Sequence, residues 1–104
     1  MAELDLKRLT LVYPPDVEVE LIELLLALEP PLPGFTTLDA TGHGADFAQA
    51  SVREQVRGRV ARCVLFMVIP RERVQPLVAA IAGALPARHV SWWIEPVEAF
   101  GRLA

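Results

Sequence analysis

Seven consecutive apolar residues, Cys63-Val64-Leu65-Phe66-Met67-Val68-Ile69, stopped by Pro70, constrain this chain more than any other stretch. The run is too short for a free-standing helix, and its β-branched and aromatic content suits a strand buried on both faces. A strand of that kind, from Arg62 to Pro70, needs a cover on each side. The 104 residues hold two helical patterns, enough to cover one face, so the other is expected to be buried between subunits. Composition points the same way: hydrophobic residues make up 53% of the chain, above the roughly 45–50% of an ordinary soluble domain.

Charge and cysteine usage narrow the function classes. A net charge of −3 provides no general footprint for nucleic acid or an anionic membrane, and no nucleic-acid partner is expected. The lone Cys63 excludes an internal disulfide and any CxxC metal or redox motif. The opening Met1-Ala2-Glu3-Leu4-Asp5-Leu6-Lys7-Arg8 has no apolar core of signal-peptide length. No apolar run approaches the ~20 residues of a membrane span. The expectation is a soluble cytoplasmic protein with one domain over residues 1–104.

In chain order, Leu9-Thr10-Leu11-Val12-Tyr13 reads as a strand ended by Pro14-Pro15. Asp16 is placed to cap a helix whose Val17, Leu21, Leu24, Leu25 and Leu28 form one apolar stripe. Val19, Ile22 and Leu26 make a flanking stripe, and Glu18, Glu20 and Glu23 are expected in water near the positive helix start. Pro30, Pro31 and Pro33 forbid continuation. Gly34 leads into Phe35-Thr36-Thr37-Leu38-Asp39-Ala40-Thr41, a strand of mixed polarity. Residues 42–59 break the pattern, and a connection this long is usually functional or disordered. After the apolar strand, Val74, Leu77, Val78, Ile81 and Leu85 mark a second helix, in which Pro76 is tolerable only in the first turn. Pro86 closes it, and His89-Val90-Ser91-Trp92-Trp93-Ile94-Glu95 is the last strand.

The two halves repeat. At an offset of 56, Pro14 falls on Pro70, Pro30 on Pro86, and Leu21, Ile22 and Leu25 on Leu77, Val78 and Ile81. Two tandem strand-helix-strand units predict an α+β, ferredoxin-like βαβ-βαβ fold, one antiparallel sheet with both helices on one face. Alternation along the last strand sends one of Trp92 and Trp93 to each face.

Four constellations carry chemistry. Gly42-His43-Gly44 is either a simple turn or a place where backbone N–H groups approach an anion. Arg53, Arg57, Arg59 and Arg62 against Asp46 and Glu54 leave the connection at 4 − 2 = +2, suited to phosphate or to a carboxylate-bearing partner; the alternative is a solvated loop in which Glu54 pairs with Arg57. His43, His89 and Cys63, with Asp39 or Asp46 as additions, could supply metal ligands, although no two have ligand spacing and Cys63 in an apolar strand suits a small buried thiol. Ser51, His43 and Asp46 lack the nucleophile elbow of a hydrolase, and no catalysis is expected.

The βαβ-βαβ order with a long connection between the second and third strands, entered through Gly34-Phe35-Thr36 and Gly42-His43-Gly44, resembles the PII signalling superfamily. Within it, those motifs together with Glu54-Gln55-Val56, Gly58-Arg59 and Pro96-Val97-Glu98-Ala99-Phe100-Gly101-Arg102-Leu103 are similar to a small PII-like family of unknown function. Genes of that family often lie beside heavy-metal efflux pumps of the resistance-nodulation-division type. The resemblance spans about residues 7 to 103. It implies a homotrimer whose sheets pack inward, and a T-loop-like connection at about 42–59 that engages partners through Arg53, Glu54, Gln55, Arg57 and Arg59. It also matches Gly34, Thr36, Gly42, His43, Gly44 and, near the end, Arg102 to parts of an anion site. The chain departs from nucleotide-binding PII proteins after the second helix, where Ala87-Arg88-His89 replaces a glycine- and lysine-bearing loop.

Three readings follow. The first is a non-catalytic PII-like regulator docking on a membrane metal-efflux transporter. The second is a CutA-like metal-binding protein that uses His43 and His89. The third is a degenerate nucleotide sensor. Their ligands are respectively none, a divalent metal, and a weakly held nucleotide.

Overall fold

The computed structural model describes residues 5–44, 59–85 and 89–103. Strand β1 (Leu6–Tyr13) leads through a short 3-10 turn, Pro15–Val17, into helix α1 (Glu18–Leu26) and strand β2 (Thr36–His43). Strand β3 (Arg59–Pro70), a second 3-10 turn at Arg71–Arg73, helix α2 (Val74–Ala84) and strand β4 (Ser91–Val97) follow. The four strands form one antiparallel sheet in the order β2-β3-β1-β4. This is the ferredoxin-like α+β arrangement expected from the repeat.

The apolar run occupies β3, hydrogen-bonded to β1 on one side and β2 on the other. Period-2 alternation divides it between faces. Cys63, Leu65, Met67 and Ile69 are buried with Leu9, Leu11 and Tyr13 of β1 under Val17, Leu21 and Leu25 from the first half and Val74, Leu77, Ile81 and Leu85 from the second. Val64, Phe66 and Val68 point to the opposite face and are half-buried. Both helices therefore lie on one side, and no described helix covers the other side of the sheet.

The repeat holds in three dimensions. Pro14 and Pro70 take nearly the same backbone, φ −67° and ψ 147° against φ −60° and ψ 144°, and each opens a three-residue 3-10 turn. Leu9, Leu11 and Tyr13 map at the same offset of 56 onto Leu65, Met67 and Ile69, all buried. Leu21 and Leu25 map onto Leu77 and Ile81, also buried, and Ile22 onto the half-buried Val78. Pro76 is the third residue of α2, inside the first turn, where its missing N–H costs no helical bond. Pro86 lies outside the described residues.

Several boundaries differ from the sequence-based expectation, those of β1, β2 and β3 because pairing overrides local composition. Strand β1 begins at Leu6, since Leu6, Lys7 and Arg8 pair with Pro70, Ile69 and Val68 as well as with β4. Strands β2 and β3 run into the connection, where Thr41, Gly42 and His43 pair with Ala61, Val60 and Arg59. β4 starts at Ser91 because His89 has φ 59°, a left-handed conformation incompatible with a pleated strand. Helix α1 ends at Leu26, though Leu28 still packs on the core. Asp16 lies inside the 3-10 turn, and the N-cap position of α1 is Val17. Glu18 is not in water but half-buried, its Oε2 accepting the Tyr13 hydroxyl at 2.8 Å.

Candidate functional site

Two features follow from this topology: an open apolar sheet face and a ribbon that leaves the sheet. On the open face, register places Thr36, Phe66, Thr10 and Trp93 in one row across the four strands, and Leu38, Val64, Val12 and Ser91 in the next. Leu38 and Trp93 are 52% and 45% exposed, while Thr10 between Phe66 and Trp93 is only 6% exposed. Trp92 faces the helix side beside Leu11 and Trp93 the open side, as alternation requires. At the end of the face nearest the start of β1, Arg8 Nη2 and Nε donate to Glu95 Oε1 at 2.7 and 3.2 Å, and Trp93 Nε1 donates to the same oxygen at 3.2 Å. These bonds, the one from Arg8 foremost, hold the Glu95 carboxyl below the usual carboxylate range. Sequence reasoning did not find this group, because Arg8 and Glu95 are 87 residues apart and meet only through the β1–β4 register.

The ribbon arises because β1 stops at Tyr13, opposite Cys63, whereas β2 and β3 stay paired out to His43 and Arg59. Among the described residues, 40–43 and 59–62 therefore have only each other as sheet neighbours, and residues 45–58 connect them in sequence. Gly42 belongs to this ladder rather than to a turn. A Cβ at Gly42 would stand 3.2 Å from Val60 Cγ2 and 3.2 Å from Arg62 Cγ, so the glycine makes room for both side chains on the ribbon's open side. His43 and Arg59 are register partners at its far end, placing an imidazole beside a permanent cation. Arg62 donates to the Ala61 carbonyl at 2.9 Å.

The remaining residues singled out from sequence are dispersed in one chain. Thr36 and Gly42 lie at opposite ends of β2, six residues or ~20 Å apart at ~3.3 Å per residue, and Gly34 precedes that strand. Gly44 directly follows His43. Arg102 is exposed in the segment after β4, the opposite edge of the sheet. His43 and His89 belong to opposite edges, β2 and the approach to β4, with two strands between them. Among the described residues no group of three or more His, Cys, Asp or Glu side chains converges as a metal site. Arg53, Glu54, Gln55 and Arg57 lie outside the described residues, as do Ser51 and Asp46.

Below the ribbon, at the end of the helix-covered core, Tyr13 and Cys63 are cross-strand partners, both almost without exposure. Burial first, and then the hydrogen bond to Glu18, keeps the Tyr13 phenol protonated far above its ordinary range. Burial first, and then the neighbouring Glu18 carboxylate, push the Cys63 thiol up to about 11, in keeping with its place in the core. Among the described residues no helix is long and apolar enough to cross a membrane.

Residues 4–104 match the sequence model of DUF3240, a protein family of unknown function. No curated protein matches the chain. A DUF3240 family protein from Shewanella baltica superposes with a TM-score of 0.79 at 21% identity, covering 100% of both chains. CPII from Thiomonas intermedia, described as a nitrogen regulatory PII-like protein bound to ADP, AMP and bicarbonate, superposes at 0.68 with 17% identity, over 94% of this chain and 96% of that one. A Bacillus cereus protein related to NIF3 superposes at 0.69 with 16% identity, over 98% of this chain and 27% of its own length. At such identities the likeness establishes the fold, which is PII-like.

Proposed function

The chain belongs to the DUF3240 family, and on that premise we propose that it is a non-catalytic regulatory protein of the PII-like kind. In this reading three copies assemble in the cytoplasm through their open sheet faces, and the β2–β3 connection docks on a membrane heavy-metal efflux transporter. The observation that carries it is the pairing of an apolar face that no described residue covers, with Leu38, Val64, Phe66 and Trp93, with a two-stranded ribbon that extends past the end of β1. Burying the face would supply the second cover that the apolar strand lacks. Arg59 at the ribbon end, with Arg53, Glu54, Gln55 and Arg57 beyond it, would form charge-assisted bonds to carboxylates or phosphates of the partner. The transporter as partner rests on the family resemblance.

Light scattering at micromolar concentration should give about three times the mass of one chain; a monomer mass would defeat the assembly. Replacing Arg53 and Arg57 together by alanine should leave that mass and the melting temperature almost unchanged while weakening co-purification with the efflux transporter. A lowered melting temperature with unaltered co-purification would assign these arginines to the fold instead.

One observation favours a second reading, the bound ADP, AMP and bicarbonate of the structurally similar CPII. On that reading Gly34, Thr36, Gly42, His43, Gly44 and Arg102 would hold a small anion or a weakly bound nucleotide, with residues from more than one copy, since one strand separates Thr36 from Gly42 by ~20 Å. The metal reading through His43 and His89 likewise needs two copies. Calorimetry with ADP, bicarbonate, Cu and Zn separates the three: heat from ADP or bicarbonate supports the sensor, heat from a metal the CutA-like protein, and neither leaves the docking regulator.

A further inference from the structure

A two-stranded ribbon is marginally stable in water, so what pins residues 40–43 and 59–62 where the ribbon leaves the sheet matters. The last β1–β3 pair is Tyr13 with Cys63, and the next strand over places Asp39 opposite Cys63. Past this row β3 loses β1 as a neighbour, so any fraying of the ribbon that spreads into the sheet must open the Tyr13–Cys63 pair first. That pair is held from outside the sheet. Glu18, the first residue of α1, accepts the Tyr13 hydroxyl at 2.8 Å, and Tyr13 is the cross-strand partner of Cys63. One carboxylate thus ties the first turn of α1 to the end of β1, at the row where β1 meets the point on β3 at which the ribbon begins.

We propose that Glu18 is a latch that couples the position of helix α1 to the order of the β2–β3 ribbon. Displacing the first turn of α1 withdraws the acceptor from the buried Tyr13 hydroxyl. The Tyr13–Cys63 pair then opens and the ribbon frays down to it. The outer side of the same helix carries Val19, 69% exposed, and Leu26, 72% exposed, so contact there would move the element that holds the latch. The titratable groups facing the carboxylate from neighbouring elements are Tyr13 on β1, Cys63 on β3 and, through Cys63, Asp39 on β2. The latch concerns the ribbon itself and does not depend on what the connection binds.

Backbone amide exchange on the purified full chain tests it. In Glu18→Ala the protected amides of residues 40–43 and 59–62 should exchange at least about ten-fold faster, while those of Leu65–Ile69 change less than about two-fold. Tyr13→Phe, which deletes one hydroxyl and leaves the core filled, should give a smaller rise confined to the same residues. Glu18→Gln, whose amide oxygen still accepts the tyrosine hydroxyl, should restore most of the protection. A uniform rise across the sheet, or no rise in the ribbon in Tyr13→Phe and Glu18→Ala, overturns the proposal. Should Glu18→Ala fail to fold, the Tyr13→Phe and Glu18→Gln pair decides by the same criterion.

Discussion

Leu65 and Phe66 are sequence neighbours on β3 with opposite duties. Leu65 has no exposure and sits level with Leu11 and Thr37 on the helix-covered side, whereas Phe66 is half-buried in a row with Thr10 and Thr36 on the open side. The pleat makes this division, and it separates what stabilises one chain from what an assembly would use.

Truncating the two residues should therefore give unlike results. Leu65→Ala leaves a cavity under the helices and should destabilise the chain by roughly 2–5 kcal/mol, seen as a lower urea midpoint at any protein concentration. Phe66→Ala should alter chain stability less and make the light-scattering mass depend on concentration at the open face. Identical effects of both variants on mass and midpoint would contradict the division.

Acid should act through Glu95. Its carboxyl is held below the ordinary value of 4.5, mainly by the Arg8 hydrogen bonds. A depressed folded-state value means the contribution is fully present above about pH 4.5 and is lost as pH falls through the lower folded value. Urea midpoints measured from pH 7 to pH 3 should thus fall more steeply for the native protein than for Glu95→Gln. Parallel curves would show that the Arg8–Glu95 contact contributes nothing to the pH dependence. Because both side chains are solvent-exposed, added salt should shrink the difference.

Crowding at Gly42 should show as coupling. Gly42→Val puts branched carbon where Val60 Cγ2 and Arg62 Cγ already approach within 3.2 Å, and should cost about 1–3 kcal/mol of overpacking. Val60→Ala should recover part of that loss. A double variant whose melting temperature is the plain sum of the single changes would show that Gly42 and Val60 do not compete for space.

Most of the architecture was legible in the chain before its structure. The prolines Pro14 and Pro70, at an offset of 56, marked helix approaches that share a backbone geometry, and Leu21 with Leu77 and Leu25 with Ile81 became paired core residues. The candidate site was less legible. Gly42 reads as a turn or an anion-approach glycine from its neighbours His43 and Gly44, yet its contacts come from Val60 and Arg62 on another strand. Glu18 reads as a solvated helix-start carboxylate, but it meets Tyr13 because the short turn at Pro15–Val17 folds α1 back over the end of β1.

What the sequence determined by itself is what repeats along one element: alternation in β3, the helix stripes and the proline stops, since these depend on backbone periods of 2 and 3.6 residues. What the tertiary structure alone decided is what depends on register between distant strands. The sharing of one Glu95 oxygen by Arg8 and Trp93, the ribbon that outruns β1 beyond Tyr13, and the placing of Thr36 and Gly42 at opposite ends of β2 all follow from where the ladders start and stop. A shift of one residue in a ladder exchanges the two faces of a strand while leaving its composition unchanged. For that reason local pattern sufficed for the fold, and three-dimensional pairing was required for the surfaces.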